Sequence, residues 1–126
     1  MKKLILLVAV ILGFAFTYLM KVDTAPEFKF ESETHDFGKI AKNKPVSHQF
    51  KFTNIGDEPL IISTVDPNCD CITVKFTSGP IKKGATGTVD IIYNAAVAIP
   101  FSKPVTIKSN ARTPIKMLYV KGEVVQ

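Results

Sequence analysis

The chain has 126 residues, enough for one small domain and too few for two. Its formal charge of +5 rests largely on its first residues: setting aside Lys2, Lys3 and Lys21 leaves 13 basic against 11 acidic side chains over residues 22–126. That near-balance speaks against nucleic acid as a partner, as does the lack of a lysine run longer than Lys82-Lys83 or of a stripe mixing basic and aromatic residues.

Lys2 and Lys3 precede an uncharged run from Leu4 to Phe16, broken only by Gly13, which Thr17-Tyr18-Leu19-Met20 carries on to Lys21. A basic start followed by an apolar stretch is what the export machinery reads. A buried core helix would turn a polar face to water, and this stretch has none. Leu4–Met20 counts 17 residues, the short end of the about 17–25 needed to span a bilayer. Cleavage asks for small residues flanking one position; Gly13-Phe14-Ala15 and Asp23-Thr24-Ala25 are the candidates, and the second would leave Pro26 behind the cut. Residues 1–21 therefore read as a hydrophobic helix, either signal peptide or membrane anchor. Neither cysteine lies near its end, so lipidation of an N-terminal cysteine is excluded. The two lysines keep the N-terminus inside and send residues 26–126 out to the periplasm or cell envelope, tethered to the inner membrane if the segment is kept. Val22 to Pro26 is short, polar and proline-ended, and residues 22–27 read as a linker.

From residue 28 onward the apolar period is two. Phe28 and Phe30 alternate with Lys29 and Glu31, and Val46, His48, Phe50 and Phe52 with Ser47, Gln49, Lys51 and Thr53. Ile72, Val74 and Phe76 form the next such face, then Val89, Ile91 and Tyr93. Phe101, Val105 and Ile107, and finally Leu118, Val120 and Val124, complete the series. Each strand thus has one core face and one wet face. Turn residues separate them at Asn54-Ile55-Gly56-Asp57, Ser78-Gly79-Pro80, Lys83-Gly84-Ala85 and Ser109-Asn110-Ala111. Gly38 and Gly56 are expected at positive φ, and Asn54 to hold its turn through its side chain. The fold expected is an all-β, immunoglobulin-like sandwich of about seven antiparallel strands over residues 28–126, with Phe50, Phe52, Val74, Ile91 and Val105 in the core. An antibody-type domain would set a tryptophan between two distant cysteines; here the cysteines are Cys69 and Cys71, and tryptophan is absent.

Several stretches in order carry a resemblance: His35-Asp36-Phe37-Gly38-Lys39-Ile40, then Phe50-Lys51-Phe52-Thr53-Asn54-Ile55-Gly56, Glu58-Pro59-Leu60-Ile61-Ile62 and Cys69-Asp70-Cys71. Pro80-Ile81-Lys82-Lys83-Gly84 and Ser109-Asn110-Ala111 follow. Over residues 31–125 this order resembles the bacterial domain-of-unknown-function family fifteen-seventy-three (DUF1573). That family is related to immunoglobulin-like domains of major-sperm-protein type and their ciliary and centrosomal kin. The resemblance implies a seven-stranded sandwich exported to the cell envelope, and relatives that act as binding modules. One departure is local: the family pattern usually reads Cys-Gly-Cys-Thr, where this chain has Cys69-Asp70-Cys71-Ile72.

Cys69 and Cys71 are the residues with chemistry to offer. Two residues apart on an extended strand, their Cα atoms would stand about 6.5–7 Å apart, at or beyond the disulfide limit of about 6.8 Å. A bond between them demands a turn at Asp70. The alternatives are free thiols, an intermolecular bridge, or a soft-metal site in which two thiolates hold Cu(I) and His35 or His48 adds a nitrogen. Tetrahedral zinc has neither the ligands nor the spacing. His48, alternating with Val46 and Phe50, reads as a core-edge residue, and His35-Asp36 as a loop pair. No Gly-x-Ser-x-Gly, His-Glu-x-x-His or phosphate-cradling glycine loop appears, so no enzyme and no cofactor are expected. The function that follows is a non-catalytic binding or structural module of the envelope, its partners other envelope proteins met at exposed sheet edges. The edges expected are Phe28–Glu33 and the strand Leu118–Val125. The alternative is thiol-redox or Cu(I) chemistry at Cys69 and Cys71.

Overall fold

The period-two segments become strands in the computed structural model, which describes residues 23–126; the hydrophobic segment expected over residues 1–21 lies outside them. Eight strands follow in order: β1 (Phe28–Phe30), β2 (Thr34–Ala41), β3 (Val46–Asn54), β4 (Ile62–Asp66), β5 (Ile72–Phe76), β6 (Thr86–Tyr93), β7 (Pro100–Ser109) and β8 (Ile115–Val125). They form two four-stranded sheets, β1-β3-β6-β5 and β2-β8-β7-β4. The apolar faces of both meet in one core. Phe50, Phe52, Val89 and Ile91 come from the first sheet, and Val105, Ile107, Leu118 and Val120 from the second; all are buried. Of the core residues expected, only Val74 is half-buried, because β5 is the last strand of its sheet. Aromatic rings close both ends. Phe28, Phe30 and Phe52 stand with centroids 5.0–5.2 Å apart, and Tyr93 stacks on Phe101 across the two sheets at 4.0 Å.

Three expectations about the strands are corrected. The strands number eight, not seven. β2 and β4 escape alternation because each carries a register shift, β2 between Asp36 and Lys39 and β4 between Ile62 and Thr64. In β2 the shift is a bulge: Asp36 Oδ1 accepts the Gly38 N–H at 2.8 Å, Gly38 sits at φ +67°, and the extra residue keeps both Phe37 and Ile40 turned inward. Pairing is not uniformly antiparallel, since β2 runs parallel to β8. β8 is no edge: it lies between β2 and β7, with both sides of its backbone paired.

Among the described residues Asn54 is the one buried polar side chain of the core, and it is fully used. Its Oδ1 accepts the N–H groups of Gly56 (3.0 Å) and Glu27 (3.3 Å), while Nδ2 donates to the carbonyls of Glu58 (2.8 Å) and Ile81 (2.9 Å). One amide thus ties together the entry to β1, the turn after β3 and the loop before β6. Gly56 has no positive φ; it is glycine because a Cβ there would run into the backbone of Ala25 and Pro26. That contact, the Arg112 N–H bond to the Pro26 carbonyl (2.8 Å) and the Asp23–Arg112 ion pair hold residues 23–27, expected as a linker, against the domain. Asn110 does the same for the β7–β8 turn, its side chain bridging the Ile61 N–H (2.7 Å) and the Pro59 carbonyl (3.0 Å).

Candidate functional site

The motifs just placed serve the path of the chain: a bulge at Gly38, a hub at Asn54, a pinned hairpin at Asn110. Cys69-Asp70-Cys71 is different. It forms the turn between β4 and β5, with the Ile72 N–H bonded to the Cys69 carbonyl at 3.3 Å. The turn brings the two Cα atoms to 5.1 Å, and the sulfurs are joined in a disulfide. Both cysteines are half-buried, with Asp70 exposed between them. The Cys71 N–H points back at Cys69 Sγ, 3.1 Å away.

His35 and His48 stand elsewhere, on β2 and β3, where the two sheets face each other across their opposite flank. Their rings stack in parallel at 3.7 Å, each edge-on to a phenylalanine, Phe37 and Phe50. His35 is therefore a strand residue, not a loop one. The four residues weighed for a soft metal fall into two separate pairs, and no group of three or more ligating side chains occurs among the described residues. Burial, and after it the neighbouring His35, holds the His48 imidazole below its ordinary value. Above the unfolded-state pKa of about 6.5 the ring is neutral in both states and costs nothing. As pH falls through that value the unfolded chain takes the proton first, and stability is lost. The urea midpoint is expected to fall between pH 7.5 and 5.5, and to fall less in His48→Phe; equal slopes in both proteins would refute this.

The four sheet edges are unequal. β1 is an edge as expected, but only three residues long. β2 and β4 are interrupted by their register shifts. β5 pairs with β6 through all five of its residues without a shift, and contains no proline. The Asn94 N–H bonds the Cys71 carbonyl at 2.9 Å and the Thr77 N–H the Thr88 carbonyl at 3.1 Å, so odd-numbered residues of this stretch face β6. Ile72, Val74 and Phe76 consequently turn their backbone groups outward. Among the described residues, the Ile72 N–H finds its partner within the Cys69 turn and no further strand lies beside β5.

A second surface feature escaped the sequence. Ile115, Met117 and Tyr119 alternate along β8 on the outer face of its sheet, 57%, 36% and 40% exposed, with Pro104 opposite Tyr119. Its signal is that the run from Ile115 to Val120 is apolar at both parities save for Lys116, where a half-wet strand would alternate.

Two four-stranded sheets packed over a shared apolar core, with the edges and end turn described, define an immunoglobulin-like β-sandwich. The chain belongs to the family described as "Protein of unknown function (DUF1573)", which matches residues 28–124. Among solved structures it is similar to a protein of unknown function from Porphyromonas gingivalis W83 (TM-score 0.72, 18% identity, 84% of this chain and 50% of that one). It is also similar to the ASH/PapD-like domain 7 of human CEP192 (0.63, 9% identity, 86% and 92%). A third likeness is to the VesB protease of Vibrio cholerae (0.63, 12% identity, 79% and 32%). These likenesses are of fold, and the chain spans half or less of the two bacterial proteins. No curated protein matches it.

Proposed function

We propose that this chain is a non-catalytic interaction module of the bacterial cell envelope, and that it recruits a protein partner by strand addition along β5. The observation that carries this reading is the free edge of β5: five residues, unshifted, without proline, with the backbone groups of Val74 and Phe76 turned outward. Sheet edges are usually guarded by bulges, prolines, charges or shortness; β5 carries one lysine, Lys75, and no other such guard. An extended peptide laid against it would gain main-chain hydrogen bonds, with specificity from alternate side-chain positions. The envelope location rests on the basic and apolar start of the chain. An alkaline phosphatase fused after Gln126 tests it, since that enzyme is active only where its disulfides form. An inactive fusion on a cytosolic protein would end that half.

The edge is tested by photo-crosslinking in intact cells. A crosslinker at Thr73 or Lys75 is expected to capture a discrete protein, and one at Lys108 on the other sheet is not. Val74→Pro removes an N–H that no internal ladder uses, so the domain should keep its fold while capture falls at least about tenfold. Equal capture from Lys108, or unchanged capture by a folded Val74→Pro, would sink the proposal.

A further inference from the structure

The Cys69–Cys71 bridge plays no visible part in holding its own turn. The Ile72 N–H to Cys69 carbonyl bond, the Asn68 N–H to Asp66 Oδ1 bond (2.9 Å) and the Asn94 N–H to Cys71 carbonyl bond all form without the sulfurs. A loop closed across a single residue also removes little entropy from the unfolded chain. Both cysteines are half-buried and neither belongs to the fully buried core; Cys71 packs against the edge of that core, and Cys69 lies beside the exposed Asp70. Its sulfurs are not equivalent: Cys69 Sγ receives the Cys71 N–H at 3.1 Å, and no hydrogen bond to Cys71 Sγ is formed among the described residues. A backbone donor aimed at one sulfur stabilises that sulfur as a thiolate, and the better-stabilised thiolate is the better leaving group.

The geometry points to a thiol–disulfide exchange site at Cys69–Cys71 whose substrate is a thiol, with Cys71 Sγ as the sulfur attacked. The incoming thiolate forms a new S–S bond to Cys71, the Cys69–Cys71 bond breaks, and its electron pair stays on Cys69 Sγ under the Cys71 N–H. A second thiol then attacks the substrate-side sulfur and expels the Cys71 thiolate. Each cysteine takes up one proton. The net change is a two-electron reduction of the bridge to two thiols and oxidation of two substrate thiols to a disulfide. Because the turn keeps its backbone bonds, the cycle runs without unfolding the domain. The site is independent of strand addition at β5, and either can hold without the other.

The test uses the full-length oxidised protein, incubated under native conditions with reduced glutathione in one arm and reduced thioredoxin in the other. Samples are quenched with acid, alkylated and mapped by mass. In at least one arm, both cysteines are expected to become alkylated, with a gain of about two daltons before labelling and the β-sheet circular dichroism unchanged. Reduction by thioredoxin at far lower concentration assigns a protein dithiol as the substrate, and reduction by glutathione alone assigns a small thiol. The early glutathione adduct is expected on Cys71 in at least about tenfold excess over Cys69. In the Cys69→Ser variant, the Cys71 thiolate attacks oxidised glutathione, supplied in a separate arm, and releases one glutathione thiolate. After removal of free glutathione the adduct on Cys71 should persist, because the Cys69 thiol that would attack Cys71 Sγ and expel it is gone. A bridge that neither reagent opens until the domain unfolds would overturn the inference, as would a predominance of adduct on Cys69.

Discussion

Asn54→Ala is expected to remove a large part of the stability of the domain. The substitution strands two backbone N–H groups, of Glu27 and Gly56, and the carbonyl of Glu58, at a site that is 0% exposed, while the Ile81 carbonyl loses one donor and keeps the Leu60 N–H at 2.8 Å. Each buried group left without a partner costs about 1–3 kcal/mol. The total over three such groups therefore reaches at least about 3 kcal/mol, against the 5–15 kcal/mol typical of a whole domain. Asn54→Asp should be no milder at neutral pH. It keeps the two accepting positions but sets a second carboxylate oxygen against the carbonyls of Glu58 and Ile81, where an N–H₂ had donated. Lowering the pH should recover part of that loss, since a protonated carboxyl can donate once. Urea unfolding of the three proteins at pH 7 and pH 5 decides the matter. An alanine variant within about 1 kcal/mol of the parent would mean that water replaces the amide.

Gly87→Ala is the second large effect, and its sign runs against the ordinary rule. Alanine in place of a strand glycine usually gains about 0.5–1 kcal/mol. Here Gly87 is the direct cross-strand partner of Phe52, and a Cβ would enter the space of the Phe52 ring and the end of Ile81. Overfilling a packed core costs about 1–3 kcal/mol, and β3 and β6 are both interior strands with no freedom to part. Phe52→Leu alone also destabilises, by emptying part of the ring's place. The two together should cost less than the sum of the singles by about 1 kcal/mol or more, because the added methyl then occupies vacated space. Strict additivity would show that the ring and the glycine do not share that space.

Much of this core was legible because β3, β6 and the inner face of β8 alternate without interruption. β2 and β4 were not, since a bulged strand breaks the period that would announce it: Phe37 and Ile40 both point inward, three residues apart. Periodicity reports which face of a strand is wet and nothing about its neighbours. That is why β8 looked like an edge, and why its parallel contact with β2, about eighty residues earlier, stayed hidden. The glycine at position 56 was recognised, but its reason was a non-local approach by Ala25 and Pro26 and not its own dihedral. In the candidate site, the one-residue spacing of the cysteines already demanded a turn at Asp70, and the turn from Cys69 to Ile72 stands there. The free edge of β5 had no local sign at all, because its freedom is a property of sheet order.

That same sheet order has a kinetic side. β2 has one lateral partner, and that partner is the last strand of the chain. Until the residues up to Val125 are available, Thr34–Ala41 has no ladder to join, and β7 lacks the strand that stands between it and β2. Closing a contact across nearly the whole domain is slow relative to forming hairpins. A chain that emerges from its N-terminus therefore holds its second strand unpaired for the entire time of its emergence, and the domain completes itself late, in a single step, when the final strand slides into the middle of a waiting sheet.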